Sequence, residues 1–151
     1  MGILVYEGEY LNGKRNGKGK EYGWDGSLIF EGEFINGDKN GKGKEYLDGK
    51  ILFEGEYLYD YKMKGKEIIN EYIEYEGEYF NNKKWNGKGY NENGNIIYEL
   101  INGNGKVKEY EDGDLVFEGE YLNGKKWNGK EYNNIKRKLI IEYLNGKRKN
   151  Y

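Results

Sequence analysis

Tyr6 to Tyr22 reads YEGEYLNGKRNGKGKEY, and the rest of the chain is a set of variations on that string. FEGEFINGDKNGKGKEY runs from Phe30 to Tyr46, and FEGEYLYDYKMKGKE begins at Phe53. YEGEYFNNKKWNGKGY runs from Tyr75 to Tyr90, and FEGEYLNGKKWNGKEY from Phe117 to Tyr132. A shortened copy opens near Tyr98 as YELINGNG before GKVKEY resumes at Gly105; a partial copy, LIIEYLNGKRKNY, starts at Leu139. The steps between Tyr6, Phe30, Phe53 and Tyr75 are 24, 23 and 22 residues. A period of that length marks an array in which each unit buries its apolar face against its neighbours. Residues 1–151 therefore read as a single repeat domain.

Within each good copy the residues alternate with a period of two. Leu28, Phe30, Gly32 and Phe34 oppose Ile29, Glu31, Glu33 and Ile35. The same split recurs from Ile3 to Leu11, from Ile51 to Leu58 and from Leu115 to Leu122. Strand side chains point alternately to opposite faces, so one face is aromatic with a glycine gap and the other carries a Glu pair. Asn12-Gly13 and Asn123-Gly124 supply the positive φ angles of a tight hairpin turn. A Lys-rich second strand follows, and Asp25-Gly26, Asp48-Gly49 and Asp112-Gly113 turn the chain into the next copy. The predicted fold is all-β: an elongated, single-layer antiparallel meander of stacked β-hairpins. It holds roughly 12–14 short strands at ~4.8 Å spacing, twisted or curved into a trough.

In this reading Gly17 and Gly19 make room for tyrosine rings of the neighbouring strand, and Lys18 and Lys20 lie across from Glu7 and Glu9. Lys66 to Ile73 is the nearest approach to a helix, but it lies where a second strand belongs. The weak points of the array are Tyr59 to Lys64, where YDYKMK replaces the turn, and Leu100 to Gly105.

Composition narrows the function classes. The 151 residues include no Cys and no His, one Ser (Ser27) and no Thr. Disulfides, Cys-based metal sites, a histidine base and most hydroxyl nucleophiles are thus excluded. The balance of 25 basic and 27 acidic residues, net -2, argues against a nucleic-acid partner. The 17 Tyr, 5 Phe and 3 Trp argue for a folded chain despite its low hydropathy. With no apolar run of spanning length and no signal-peptide pattern, the expected location is intracellular and cytoplasmic, with membrane or cytoskeletal association open.

At these residues the chain resembles the MORN repeat family, whose pattern is aromatic-x-Gly-x-aromatic, then Asn-Gly-Lys, Gly-x-Gly and Asp-Gly. Tyr6, Gly8, Tyr10, Asn12 to Lys14, Gly17, Gly19, Asp25 and Gly26 match it, as do Phe30, Gly32, Phe34, Gly37, Gly41, Gly43, Asp48 and Gly49. Asn16, Asn40 and Asn128 stand where the family usually has His, and some copies look like shorter bacterial variants. The resemblance implies a single layer of stacked hairpins and roles in scaffolding, self-association, helix or peptide binding, and sometimes binding of acidic phospholipid.

Two sets of residues are candidate sites. The aromatic row is Tyr6, Tyr10, Phe30, Phe34, Phe53, Tyr57, Tyr75, Tyr79, Phe117 and Tyr121. It either packs on itself as the core or stays open to a helix or extended peptide. The basic turn tips are Lys14, Arg15, Lys83, Lys84, Lys125, Lys126, Lys136, Arg137, Lys138, Lys147, Arg148 and Lys149. They are either solvated turns or a line meeting anionic lipid. The Glu pairs recur in every good copy, which a single active site would not, so they read as a charged face. The GKGK strings lack P-loop spacing. No catalytic residue, metal or cofactor is expected. Trp85 and Trp127 occupy matching turn positions and read as caps, whereas Trp24 is the candidate exposed contact. Unpaired end strands offer a route to a homo-oligomer or another chain. The function expected is a non-catalytic repeat scaffold for protein–protein interaction, with a peripheral membrane adaptor as the alternative.

Overall fold

A computed structural model describes residues 4–111, 114–133 and 138–151. Among them are 14 strands, every paired neighbour antiparallel, and no helix, so none is long and apolar enough to cross a membrane. The first nine form one sheet in chain order: β1 (Tyr6–Leu11), β2 (Lys14–Tyr22), β3 (Leu28–Ile35), β4 (Asp38–Leu47), β5 (Lys50–Leu58), β6 (Tyr61–Ile69), β7 (Tyr72–Phe80), β8 (Lys83–Tyr90) and β9 (Ile96–Leu100). A second sheet holds β10 (Gly105–Glu111), β11 (Asp114–Leu122), β12 (Lys125–Tyr132), β13 (Leu139–Leu144) and β14 (Lys147–Asn150). The sequence predicts one continuous meander. The ladder instead breaks between β9 and β10, where a single bridge, Ile101 to Asn104, joins them. The turn edge stays continuous there, with Gly103 N–H donating to Trp85 C=O and Gly124 N–H to Gly103 C=O.

The break falls on one of the two expected weak points. The other, Tyr59 to Lys64, is a regular hairpin. Tyr59 and Asp60 take φ of 49° and 66°, close to the 51° and 76° of Asn12 and Gly13. A two-residue turn with both φ positive matches the twist of the flanking strands. Asn70 and Glu71 make another such turn, at 47° and 71°, so Lys66 to Ile73 is strand, turn, strand. Asp48-Gly49 turns as predicted, and Asp25 accepts from Ser27 N–H (3.0 Å) and Oγ (2.7 Å) in a wider loop. Asp112-Gly113 and Ile3 lie outside the described residues.

Pairing puts glycine opposite glycine across eight strands: Gly8, Gly19, Gly32, Gly43, Gly55, Gly65, Gly77 and Gly87. Their function is steric. A Cβ on Gly55 would lie 2.6 Å from Phe53 Cζ, and one on Gly65 2.5 Å from the same atom, so each first aromatic lies flat across a glycine pair. Gly19 makes the predicted room for the Tyr6 ring, but Gly17 does not: it yields to the Glu9 carboxylate. Lys20 does oppose Glu7. Glu9 instead faces a bulge formed by Asn16 to Lys18 and accepts the Lys18 N–H at 3.0 Å. Bulges also interrupt the period of two at Ile29, Leu52, Glu74 and Val116, next to each first aromatic.

Candidate binding surfaces

On one face, edge-on ring contacts run from repeat to repeat. Tyr6 meets Phe34 at 5.3 Å, Phe30 meets Phe34 and Tyr57 at 5.4 and 5.3 Å, and Phe53 meets Tyr57 and Tyr79, both at 5.5 Å. Each such pair contributes about 0.5–1.5 kcal/mol beyond burial. Tyr6, Phe30, Phe34, Phe53, Tyr57, Tyr75, Tyr79 and Phe117 are buried and belong to one core cluster spanning both sheets. Tyr121 is half-buried against it, and Tyr10 is 60% exposed.

What covers these rings is charge. Lys39 Nζ sits 4.2 Å over Phe30, Lys62 4.2 Å over Phe53, Lys126 4.4 Å over Phe117, and the Arg15 guanidinium 4.7 Å over Tyr6. Each cation is held by a Glu of its own strand or of the strand two along the sheet: Lys39 by Glu21 (3.4 Å), Lys62 by Glu45 (2.8 Å), Lys126 by Glu109 and Glu131 (3.1 Å each), and Arg15 by Glu21. The long apolar stems cover the rings while the heads stay paired. Arg15, Lys39, Lys62 and Lys126, each the second residue after its turn, are therefore part of the core's roof.

At Tyr75 the pattern changes. Its β8 partner is Gly89, where the other hairpins carry Glu21, Glu45, Glu67 and Glu131. The bulge residue Glu74, 1% exposed, turns in and takes the missing role. Lys84 Nζ bonds Glu74 at 2.5 Å and Glu67 at 2.9 Å, and Tyr98 Oη donates to Glu74 at 2.9 Å. Burial pushes the Glu74 carboxyl up, against the pull of Lys84. Burial also pulls the Lys84 ammonium down, but Glu67 and Glu74 outweigh it and hold it above its usual value. Burial, then Glu74, raises the Tyr98 hydroxyl. Tyr98 reaches this position because Gly89 leaves room for its ring and Leu100 occupies the place that glycine holds in other repeats. Burial, then the bonded Glu109, raises the Tyr121 hydroxyl; Lys84 and Glu67 of the first sheet also act on it, so the two sheets' aromatic faces adjoin here.

The opposite face holds a groove of about 980 Å³. Its floor is the line of paired glycines. One wall reads Glu7, Lys20, Glu31, Lys44, Glu54, Lys66, Glu76, with each residue opposite the next in register. Lys44–Glu54 at 3.3 Å and Lys66–Glu76 at 3.5 Å are exposed ion pairs, each contributing little to stability. The other wall carries Lys18, Glu33, Lys42, Glu56 and Lys64. The Glu pairs expected to form a charged face therefore alternate with Lys from both neighbouring strands.

Of the basic tips, Lys14, Lys83, Lys125, Lys138, Lys147, Arg148 and Lys149 are exposed, whereas Arg15, Lys84 and Lys126 are engaged with the rings. Lys136 and Arg137 lie outside the described residues. The first-residue line is broken by Asp38 and Tyr61 at the equivalent places in β4 and β6. Trp85 and Trp127 lie against the turn glycines Gly103 and Gly146 of the following hairpins, at 2.6 and 2.8 Å from where a Cβ would stand. Trp24 is 83% exposed. A further side-chain ladder went unread in the sequence: along the turn edge Asp60, Asn82, Asn86, Asn104 and Asn128 accept from Lys39, Lys62, Asn102, Asn123 and Asn145 N–H groups at 2.7–2.9 Å. The spacing of Asn and Asp near each turn was its only signal. The sequence matches no family model and no curated protein.

Proposed function

We propose that this chain is a non-catalytic, MORN-like repeat scaffold that holds a protein segment along its sheet. The observation that carries this reading is the glycine-floored groove between two walls of alternating charge. Eight of the ten aromatic rings first considered for this task are buried as core, so the segment is assigned to the face behind them. Exposed, neutral overall and running across the strands, the groove suits a helix or extended peptide bearing both signs of charge, and it gathers no nucleophile–base pair. A pull-down from the native host with Lys20, Lys44 and Lys66 changed to Glu tests this. Partners captured by the parent and lost by the folded variant support the reading, and equal capture contradicts it.

The alternative adaptor role has one observation in its favour: Lys147, Arg148 and Lys149 of β14 are all exposed. Sedimentation with anionic and with neutral liposomes separates the two. Binding to anionic vesicles that Lys147, Arg148 and Lys149 to Ser abolishes would favour the membrane role.

A further inference from the structure

The repeats act as controls for one another, and the third hairpin departs from its siblings in one place. Where β1 and β2 present Asn12 and Lys14 at the turn, β5 and β6 present Tyr59 and Tyr61, and Met63 is the extra residue at the bulge. Tyr59 and Tyr61 are 63% and 50% exposed, and Leu58, cross-strand from Tyr61, is exposed too. The next hairpin extends the patch: Phe80, 57% exposed, replaces the aliphatic residue of the other copies and packs on Trp85 at 5.1 Å. Exposed apolar residues on two adjacent hairpin ends, at places that elsewhere carry Asn and Lys, mark an interaction site.

We propose that this patch is the two-fold interface of a homodimer. The charges flanking it are self-complementary: Asp60, whose Oδ1 also accepts the Lys39 N–H of its own chain, lies at the β5–β6 turn, and Lys83 lies at the start of β8. A two-fold axis between β6 and β7 exchanges those two hairpins, which sets Asp60 of each copy beside Lys83 of the other. Isologous interfaces require this kind of self-matching. Size agrees. Three rings of about 200 Å² each, at the exposures above, leave roughly 340 Å² per copy. Doubling that and adding Leu58 and Met63 brings the total to about 1,000 Å², the lower bound for a specific interface. The proposal does not rest on the groove, and the Lys20, Lys44 and Lys66 changes leave the dimer intact.

Sedimentation equilibrium of the full chain from micromolar to millimolar concentration tests it. The parent protein approaches twice the monomer mass. Tyr59→Asn with Tyr61→Lys copies residues with which the first hairpin already folds, and weakens association at least about tenfold. Asp60→Lys and Lys83→Glu each weaken it alone, through two like-charge contacts per dimer. Mixing these two variants restores it, because both contacts become attractive in the mixed pair. A parent that stays monomeric throughout, or mass unchanged in the Tyr59/Tyr61 variant, overturns the proposal. Failure of the mixed variants to recover association overturns the two-fold placement.

Discussion

The hairpin at Phe53 and the joint at Tyr98 solve one problem in two ways. At Phe53 the ring lies across Gly55 and Gly65, Lys62 of β6 covers it, and Glu45 of β4 holds the lysine from the ring's other side. At the joint Gly89 stands where a Glu belongs and Leu100 where a glycine belongs. Tyr98 therefore stacks on Tyr75 (6.4 Å, 16°) instead of lying edge-on, and the carboxylate arrives from the bulge residue Glu74. The lesson is that the array is held by a rule about components. Each ring needs a bare patch of backbone, a cation over it and a carboxylate on the cation, but not always from the same positions.

The largest effect separates the two regions directly. Lys84→Met strands Glu67 and the buried Glu74, and removing one partner from a buried pair costs about 3–5 kcal/mol. Lys62→Met, at a partly buried ion pair whose remaining Glu45 still reaches water, costs less, about 1–2 kcal/mol. Urea denaturation of both variants checks the contrast, and equal losses would erase it.

The glycine position gives the next test. Leu100→Ala opens a cavity and costs about 2–5 kcal/mol, whereas Gly55→Ala overpacks the same lattice place and costs about 1–3 kcal/mol. A side chain is required at one and forbidden at the other. Thermal melts that show either change to be neutral would contradict the assignment.

Alkaline titration follows. Burial raises the Tyr75 hydroxyl from 10.0 to about 12, and burial likewise raises Tyr57, Tyr79 and Tyr98. The unfolded chain therefore loses these protons first, and stability falls as pH rises above 10. Tyr75 alone accounts for about 2 kcal/mol by pH 12. Tyrosinate absorbance and β-sheet circular dichroism should change together, and tyrosinate formation from buried rings in an intact sheet would contradict the packing.

The smallest effect concerns the turns. Glu71 takes φ of 71°, a conformation Gly adopts without steric cost. Glu71→Gly should raise stability by about 1 kcal/mol, while Gly13→Glu at the equivalent turn lowers it. Chemical denaturation distinguishes the two.

The strands and the aromatic side were legible because Phe30, Gly32 and Phe34 alternate with Glu31 and Glu33, and that period survives in four copies. Turn chemistry located Asn12-Gly13 but misjudged Tyr59-Asp60, since neither residue advertises positive φ. The roles of Lys39 and Lys62 were hidden for another reason. A basic residue beside a turn looks solvated, and only the register reveals the ring beneath it. The charged walls were half-read: Lys18 and Lys20 were expected across from Glu7 and Glu9, and Lys20 does face Glu7, but the bulge at Asn16 to Lys18 brings a backbone N–H to Glu9 instead. Leu100 carried a visible signal, a large residue in a glycine position, and the ladder breaks there.

Hydroxyl-radical footprinting of the tyrosines tests the central claim, that the rings of successive hairpins share one buried face. Tyr57, Tyr75, Tyr79 and Tyr98 should be protected, and Tyr10, Tyr59 and Tyr61 of the monomeric protein modified. Rapid modification of Tyr57 and Tyr79 in the folded chain would contradict it.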